Sequence, residues 1–345
     1  MTSVHNTSQA TAPIQAAIAG EALIDLIRRP DGSYLSCLGG ALYNLCRALA
    51  RQGVGTQYLN PLSRDRFGRE LAAQLVADGV LLAQPEPVQQ VTSLAVVNLN
   101  EHGHPDYAFY REGVADRAVS AQGLDDACIA LPALQVVCTG ALALDARDID
   151  IYLPWLEAQR AAGRCVVADA NLRPSVMPDL VAYRTTVHAA LAHAHIIKVS
   201  DEDLDHLAVP GTDALARARH LLAANPQAHL LALTLGGDGA WLLHRNGAQC
   251  FAKEAQPLQV VDTVGAGDSF LAGLLAHLLR QAQAAGGAES FAHFVASLTA
   301  ETCQHALRHA LASASLCVME QGCVPPGWEA ADAWSRLHPA AQDPA

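Results

Sequence analysis

Residues 165–169 read Cys-Val-Val-Ala-Asp, and residues 196–199 read Ile-Ile-Lys-Val. Each run is short, nearly continuous in apolar side chains and rich in β-branched residues. A strand of that kind has to be covered on both faces. Similar runs stand at 136–139, 230–235 and 240–244, and helical spacing fills the stretches near 149–162, 179–194, 212–223, 267–284 and 290–318. Such alternation predicts an α/β fold, a doubly wound, mostly parallel sheet with helices on both faces.

Toward the N-terminus the rhythm changes. An extended run at 17–20 continues through 23–27 to a Pro-Asp-Gly turn at 30–32. Gly39 and Gly40 open a helix with Leu42, Leu45, Cys46 and Leu49 on one side, which stops near Gly53; a second helix covers about 69–77. Segments 91–98 and 106–111 read as a β-hairpin about the Asn-Glu-His-Gly-His turn at 100–104. These extended pieces do not fit the strand–helix alternation and predict a small separate β-sheet. The expected layout is a tail at 1–15, a body at 16–335 with lid segments at about 21–37 and 91–113, and a flexible tail at 336–345.

The chain has 345 residues, 51% of them hydrophobic, and a formal charge of −12. That acidity argues against a nucleic-acid partner or an anionic membrane. Lysine occurs only at 198 and 253, so arginine carries the remaining basic charge. The nine cysteines are odd in number, scattered and without a Cys-x-x-Cys pair, which fits buried free thiols in a reducing compartment. The first fifteen residues have no basic and apolar leader pattern, and no run of eighteen apolar residues occurs. The expectation is a cytoplasmic, soluble protein. The pairs His102/His104, His193/His195 and His305/His309 lack a third and fourth ligand in the sequence around them and predict no zinc site.

Residues 262–270 read Asp-Thr-Val-Gly-Ala-Gly-Asp-Ser-Phe at the mouth of an apolar helix bearing Leu271, Leu274, Leu275, Leu278 and Leu279. A Walker A loop is excluded because neither lysine follows a glycine. A dinucleotide fingerprint needs a third glycine at 270, where phenylalanine stands. Two readings stay open on these residues. One is an ordinary tight turn with an Asp N-cap. The other is a phosphoryl-transfer site, in which the N–H groups of Gly265, Ala266 and Gly267 face an anion and Asp268 takes a proton from an alcohol.

The stretch closely resembles the C-terminal signature of the ribokinase-like, phosphofructokinase-B type sugar kinases. The resemblance runs from about Ile18 to Pro325. Gly20-Glu21-Ala22-Leu23-Ile24-Asp25 resembles the family's first strand, and Gly39-Gly40-Ala41 with Asn44 its N-terminal signature. Asp65, Phe67 and Gly68 are similar to its Asp-x-Phe-Gly stretch. Thr234-Leu235-Gly236 through Gly239 resembles the ATP-side loop. Phe109-Tyr110-Arg111 and Asp169-Ala170-Asn171-Leu172-Arg173 resemble segments of the fructokinase and 2-keto-3-deoxygluconate kinase branch.

The resemblance implies a ribokinase-like fold whose β-sheet lid pairs into a homodimer. It implies an ATP-dependent sugar kinase using Mg²⁺, with K⁺ as a further activator. Asp268 is then the base, with Gly265, Ala266 and Gly267 as its anion hole. Asp25, Gly39, Gly40, Asn44, Phe109, Arg111 and Arg173 would bind the sugar. Lys198, Ser200, Asp203, Thr234, Gly236 and Gly239 would serve the nucleotide, Asp262 a monovalent cation and Asp203 Mg²⁺ through water. Phenylalanine at 109, where the keto-acid branch often has tyrosine, favours fructose or a related ketose. The chain departs from the family pattern at Leu42, Tyr43 and Cys46, at Pro61 and Ser63, and at Ser200–Asp203, where the family has Asn-x-x-Glu.

Overall fold

The computed structural model describes residues 13–29, 31–99, 105–286, 290–338 and 340–341. Residues 1–12 of the expected tail at 1–15, and the turn at 100–104, lie outside the described residues. Among the described residues, thirteen strands form two sheets. They are β1 Ala16–Ile18, β2 Leu23–Arg28, β3 Tyr34–Gly39, β4 Thr56–Tyr58, β5 Leu81–Leu82, β6 Ser93–Leu99 and β7 Pro105–Tyr110. After these come β8 Val136–Gly140, β9 Cys165–Asp169, β10 Ile196–Ser200, β11 Leu230–Thr234, β12 Ala240–His244 and β13 Gln249–Ala252.

The large sheet has the order β13-β12-β11-β10-β9-β8-β1-β4-β5. Pairing is parallel from β5 through β11 and antiparallel for β12 and β13. Its strands alternate faces residue by residue. Ile18, Cys138, Val167, Ile196 and Ala232 enter one core, while Ala17, Val137, Val166, Ile197 and Leu231 enter the other. Both faces are therefore apolar, which is why these strands read as continuous hydrophobic runs.

The helices are α1 Ala41–Arg51, α2 Arg66–Ala77, α3 Ala121–Ile129, α4 Ile149–Ala161, α5 Leu180–Leu191 and α6 Asp201–His206. They continue with α7 Ala214–Ala224, α8 Ala266–Ala284, α9 Phe291–Ala296, α10 Ala300–Cys317 and α11 Trp328–Leu337. The first core takes side chains of α1, α2, α8 and α10, and the second takes those of α3, α4, α5 and α7.

Several boundaries differ from the sequence reading. The extended run at 17–27 is two strands in different sheets, because Gly20 leaves the ladder and its N–H bonds to Asn60 Oδ1 at 2.8 Å. A Cβ at Gly20 would lie 2.4 Å from Leu42, so α1 packs directly on this crossing. The single helix expected at 290–318 is two, because Thr299 caps a new helix by accepting the Thr302 N–H. Helix α2 begins three residues early, since Asp65 caps it through the Gly68 N–H at 2.7 Å. Where a flexible tail is expected from 336, α11 runs through Leu337 and Ala341 bridges to Lys253. The sequence reading passed over β4, β5, β13 and α6, which have two to six residues each, and the nine- and ten-residue helices α3 and α11.

The small sheet has the order β3-β2-β6-β7. It leaves the body just past the C-terminal end of β1, where strand order reverses with β4 to one side and β8 to the other. Ligand crevices of open α/β sheets form at such a switch point.

Candidate active site

A cavity of about 420 Å³ lies between the small sheet and the C-terminal ends of the large sheet's strands. Its wall includes Asp25, Gly40, Asn44, Phe109, Arg173, Lys198, Asp262, Gly265, Gly267 and Asp268. The fold has brought together residues from six separate segments.

Asp268 sits in the first turn of α8, 7% exposed. Asn44 Nδ2, from α1, donates to its Oδ2 at 3.0 Å. Burial pushes the Asp268 carboxyl up to about 7, and the neighbouring Asp169 adds to the rise; Lys198, Asn44 and Arg173 oppose it. Lys198 Nζ lies 3.1 Å from Asp169 Oδ1 and acts on Asp268 through its charge. Burial works to lower the lysine's pKa, but Asp169, Asp203 and Asp268 together raise it. One buried cation thus serves three carboxylates, and burial raises both Asp169 and Asp268 in spite of it.

The loop before α8 is shaped for an anion. Gly265 has φ +78°, and a Cβ there would lie 2.2 Å from Cys323 Sγ. A Cβ at Gly267 would lie 3.2 Å from Lys198 Nζ. The Ala266 N–H is turned away from this cradle and bonds to Thr263 O at 3.3 Å. Among the described residues no acceptor meets the N–H groups of Gly265, Gly267 and Asp268. Of the three N–H groups expected to face an anion, those of Gly265 and Gly267 are open and that of Ala266 is engaged by Thr263, while the Asp268 N–H is open beside them. Asp262 fixes the loop, its Oδ1 accepting from Val264 N–H at 3.0 Å and its Oδ2 from Gly322 N–H at 2.9 Å.

On the small-sheet side, Asp25 lies over Gly39, where a Cβ would meet its Oδ2 at 2.2 Å. Burial pushes the Asp25 carboxyl up to about 6, and Arg173 counters it. Phe109, opposite Ala95 in the small sheet, forms the apolar wall. Arg173 is exposed and donates to the Leu172 carbonyl at 3.0 Å. Two of the three non-glycine residues with positive φ among the described residues, Ala141 (φ 48°) and Asn171 (φ 35°), line this cavity. Backbone strain of that kind gathers at binding sites.

Arg111 is not in the cavity wall. It is 6% exposed and lies 4.0 Å from Asp116 and 3.7 Å from Asp145, because these two buried carboxylates hold the guanidinium. Asp203 also has local work. Its Oδ1 accepts the Leu172 N–H at 2.7 Å, and its Oδ2 accepts the Ser200 N–H at 2.8 Å in a capping box that starts α6. Thr234 pairs in register with Ser200 on the neighbouring strand, and Gly236 and Gly239 turn the chain after β11 with φ +54° and +103°. These nucleotide-side candidates line up beyond the cavity along the same sheet edge.

Sequence reasoning passed over Glu21, Asp169 as the partner of Lys198, and Cys323. Glu21 stood inside a quoted motif without a role. Cys323 is 55 residues past Asp268 and reaches the loop because α10 packs back against α8, which no local pattern announces.

The family model of the pfkB family carbohydrate kinases matches residues 14–330. The chain is similar to a fructokinase of Rhizobium leguminosarum bv. trifolii, 34% identical over 263 residues, which cover 75% of this chain and 78% of that one. Its structure is similar to that of a fructokinase with bound ATP from Xylella fastidiosa, at 27% identity and a TM-score of 0.78, covering 94% and 98% of the two chains. It is also similar to a fructokinase of Vibrio cholerae O395 in a fructose, ADP and calcium ion bound form, at 25% identity and a TM-score of 0.72, covering 93% and 98%. The chain belongs to the pfkB family of carbohydrate kinases, and is a sugar kinase.

Proposed function

We propose that this chain transfers the γ-phosphoryl group of ATP to a primary hydroxyl of fructose or a closely related ketose, with Asp268 as general base. The observation that carries the reading is the Asp268 carboxyl itself. It is buried in the cavity wall at a helix start, held by Asn44 and Lys198, and pushed up to about 7. A base near the working pH both exists ionised and accepts a proton well.

Asp25 and Asn44 would hold sugar hydroxyls, and Phe109 would pack on the apolar edge of the ring. As the alcohol attacks, Asp268 would accept its proton while Lys198 keeps the surrounding charge in balance. The N–H groups of Gly265, Gly267 and Asp268, with the positive end of α8, would meet the charge on the transferring group. ATP would lie along the sheet edge from Ser200 to Gly239. Mg²⁺ would supply charge neutralisation on the phosphates and would arrive with them and with water, as Mg²⁺ commonly does. Asp203, with both oxygens on backbone N–H groups, would reach such an ion only through water. Asp262 would serve K⁺ through the loop it anchors.

The lid would close over the sugar and exclude water, so that phosphate goes to the alcohol. Its exposed Tyr34 and Tyr110 suit a lid-to-lid homodimer in the cytoplasm. The test is ADP release with ATP and Mg²⁺ across fructose, other ketoses, 2-keto-3-deoxygluconate and ribosides, for wild type and Asp268→Asn. Fructose-stimulated release lost in the variant is the expected result. Equal turnover by the variant removes the base, and preference for the keto acid or a riboside removes the ketose.

A further inference from the structure

Glu21 occupies the crossing from β1 into the lid and is 2% exposed. Its Oε1 accepts the Ala41 N–H at 2.8 Å, and its backbone carbonyl accepts the Tyr43 N–H at 3.3 Å. Both donors belong to the first turn of α1. That helix has glycine as its N-cap, no side-chain cap and no acidic residue in its first turn. A helix start leaves four N–H groups without an internal partner. Glu21 meets two of them from another part of the chain; burial pushes its carboxyl up to about 7, and in its ionised form its charge faces the positive end of the helix. Gly40 permits the approach, since a Cβ there would lie 2.6 Å from the Glu21 carbonyl oxygen.

The other lid crossings converge nearby. Ser93, at the start of β6, donates to Asp116; Arg111, just past β7, lies between Asp116 and Asp145. Arg111 and Asp116 are the charged groups that act on Glu21. Three atoms of this cluster, Glu21 Oε2, Arg111 Nε and Asp116 Oδ2, are buried with no hydrogen-bond partner among the described residues. Within one turn of Ala41, the same helix carries Asn44, whose amide donates to Asp268. A continuous path thus runs from the lid crossing through Glu21, Ala41 and Asn44 to the carboxylate in the cavity. The groups facing Asp268 along other routes are Asp169, Lys198, Arg173 and Cys323.

We infer that Glu21 is a positioning residue for phosphoryl transfer: its carboxylate holds the first turn of α1 from across the lid crossing and so sets the Asn44 amide against Asp268. The inference rests on Asp268 being the base. Three variants test it. Glu21→Ala removes the acceptor, and Glu21→Gln keeps an acceptor oxygen without the charge. Ala41→Pro removes the donor at the one helical position where proline is well tolerated.

Each is compared with wild type by kcat, by KM for sugar and ATP, and by a substrate-free ¹³C NMR titration of the Asp268 carboxyl, assigned with Asp268→Asn. Glu21→Ala and Ala41→Pro should lower kcat by about ten- to a hundredfold, the usual scale for a small misplacement of a catalytic group. KM for ATP should stay within about twofold. The Asp268 midpoint should rise, because the donor that favours its ionised form is lost. Glu21→Gln should restore most of kcat and the midpoint, which a purely structural role would not require. A folded Glu21→Ala or Ala41→Pro with an unmoved midpoint and normal kcat overturns the inference, as does a Gln variant as impaired as the Ala variant. If Glu21→Ala does not fold, Ala41→Pro decides. If Asp268→Asn keeps turnover, the base assignment fails, and the titration still decides whether Glu21 sets Asn44 against Asp268.

Discussion

Helix α8 carries two titratable clusters, Asp268 in its first turn and His277 nine residues on, roughly 13 Å apart along the axis. They behave in opposite ways. At Asp268, burial drives a carboxyl toward neutrality, to about 7, while Asn44, Lys198 and a cavity keep it within reach of a ligand. At His277, burial likewise disfavours the charged form, but for an imidazole that pushes the pKa down, to about 4, and that of its neighbour His309 to about 3. His309 stacks on Trp328 at 4.1 Å and bonds Gln52 Oε1 at 2.9 Å, with Arg280 over the other ring at 4.0 Å. Neither histidine borders the cavity. Desolvation acts on both clusters. The difference is that one has a compensating cation and an opening, whereas the other has aromatic packing and a second cationic neighbour.

The sharpest way to break this contrast is Asp268→Asn, which keeps the shape and the bond to Asn44's neighbourhood but cannot take a proton. It should lower kcat by at least ~10²–10⁴, read in a coupled ADP assay, with the melting temperature at pH 8 unchanged or raised. The sign follows from linkage: a carboxyl whose folded pKa is raised binds protons more tightly in the native state, so its ionisation costs stability as pH rises from about 4 through 7.

Lys198→Met comes next. Without the cation, Asp169 and Asp268 repel directly, and the Asp268 pKa should climb further. Turnover at pH 7 should fall by ~10- to 100-fold and recover partly at higher pH, on the argument that a tenfold loss of ionised base follows each unit of pKa. A flat pH response in this variant would detach Lys198 from the base. In the wild type, kcat/KM for the sugar should rise about tenfold per pH unit below about 7 and level off above it, since that ratio reports the free enzyme. A limb near pH 4 would mean that Asp268 is not held as the structure implies.

The smallest effect belongs to the other cluster. His309→Gln should leave kcat within about twofold. Its cost in stability should be near 1 kcal/mol at pH 7.5, about the value of one hydrogen bond. A depressed histidine pKa means that the unfolded chain binds more protons below about 6.5, so the wild type loses stability on acidification. The gap between wild type and variant, measured by denaturant midpoints, should therefore narrow between pH 7.5 and 5. A gap independent of pH would show that the histidine is not buried neutral.

The doubly wound sheet was legible because its strands are buried on both faces and therefore apolar at every position. Asp25, Asn44 and Asp268 were legible because each lies beside glycines that leave a local mark. Arg111 was misdirected for a definite reason. Its neighbours in sequence point to the lid, but Asp145, which lies near it in space, is 34 residues away. The break between α9 and α10 was hidden because helical spacing continues across Thr299, whose cap is a local hydrogen bond.

The sequence by itself determined the alternation of strand and helix, the family and the glycine loop ahead of Asp268. These depend on residues close together in the chain, where periodicity and turn chemistry act directly. Only the tertiary structure decided which N–H groups stay open, that Lys198 shares its charge among Asp169, Asp203 and Asp268, and that Glu21 caps a helix twenty residues away. Those outcomes depend on burial and on distances between segments remote in sequence, because desolvation and Coulomb forces act through space rather than along the chain.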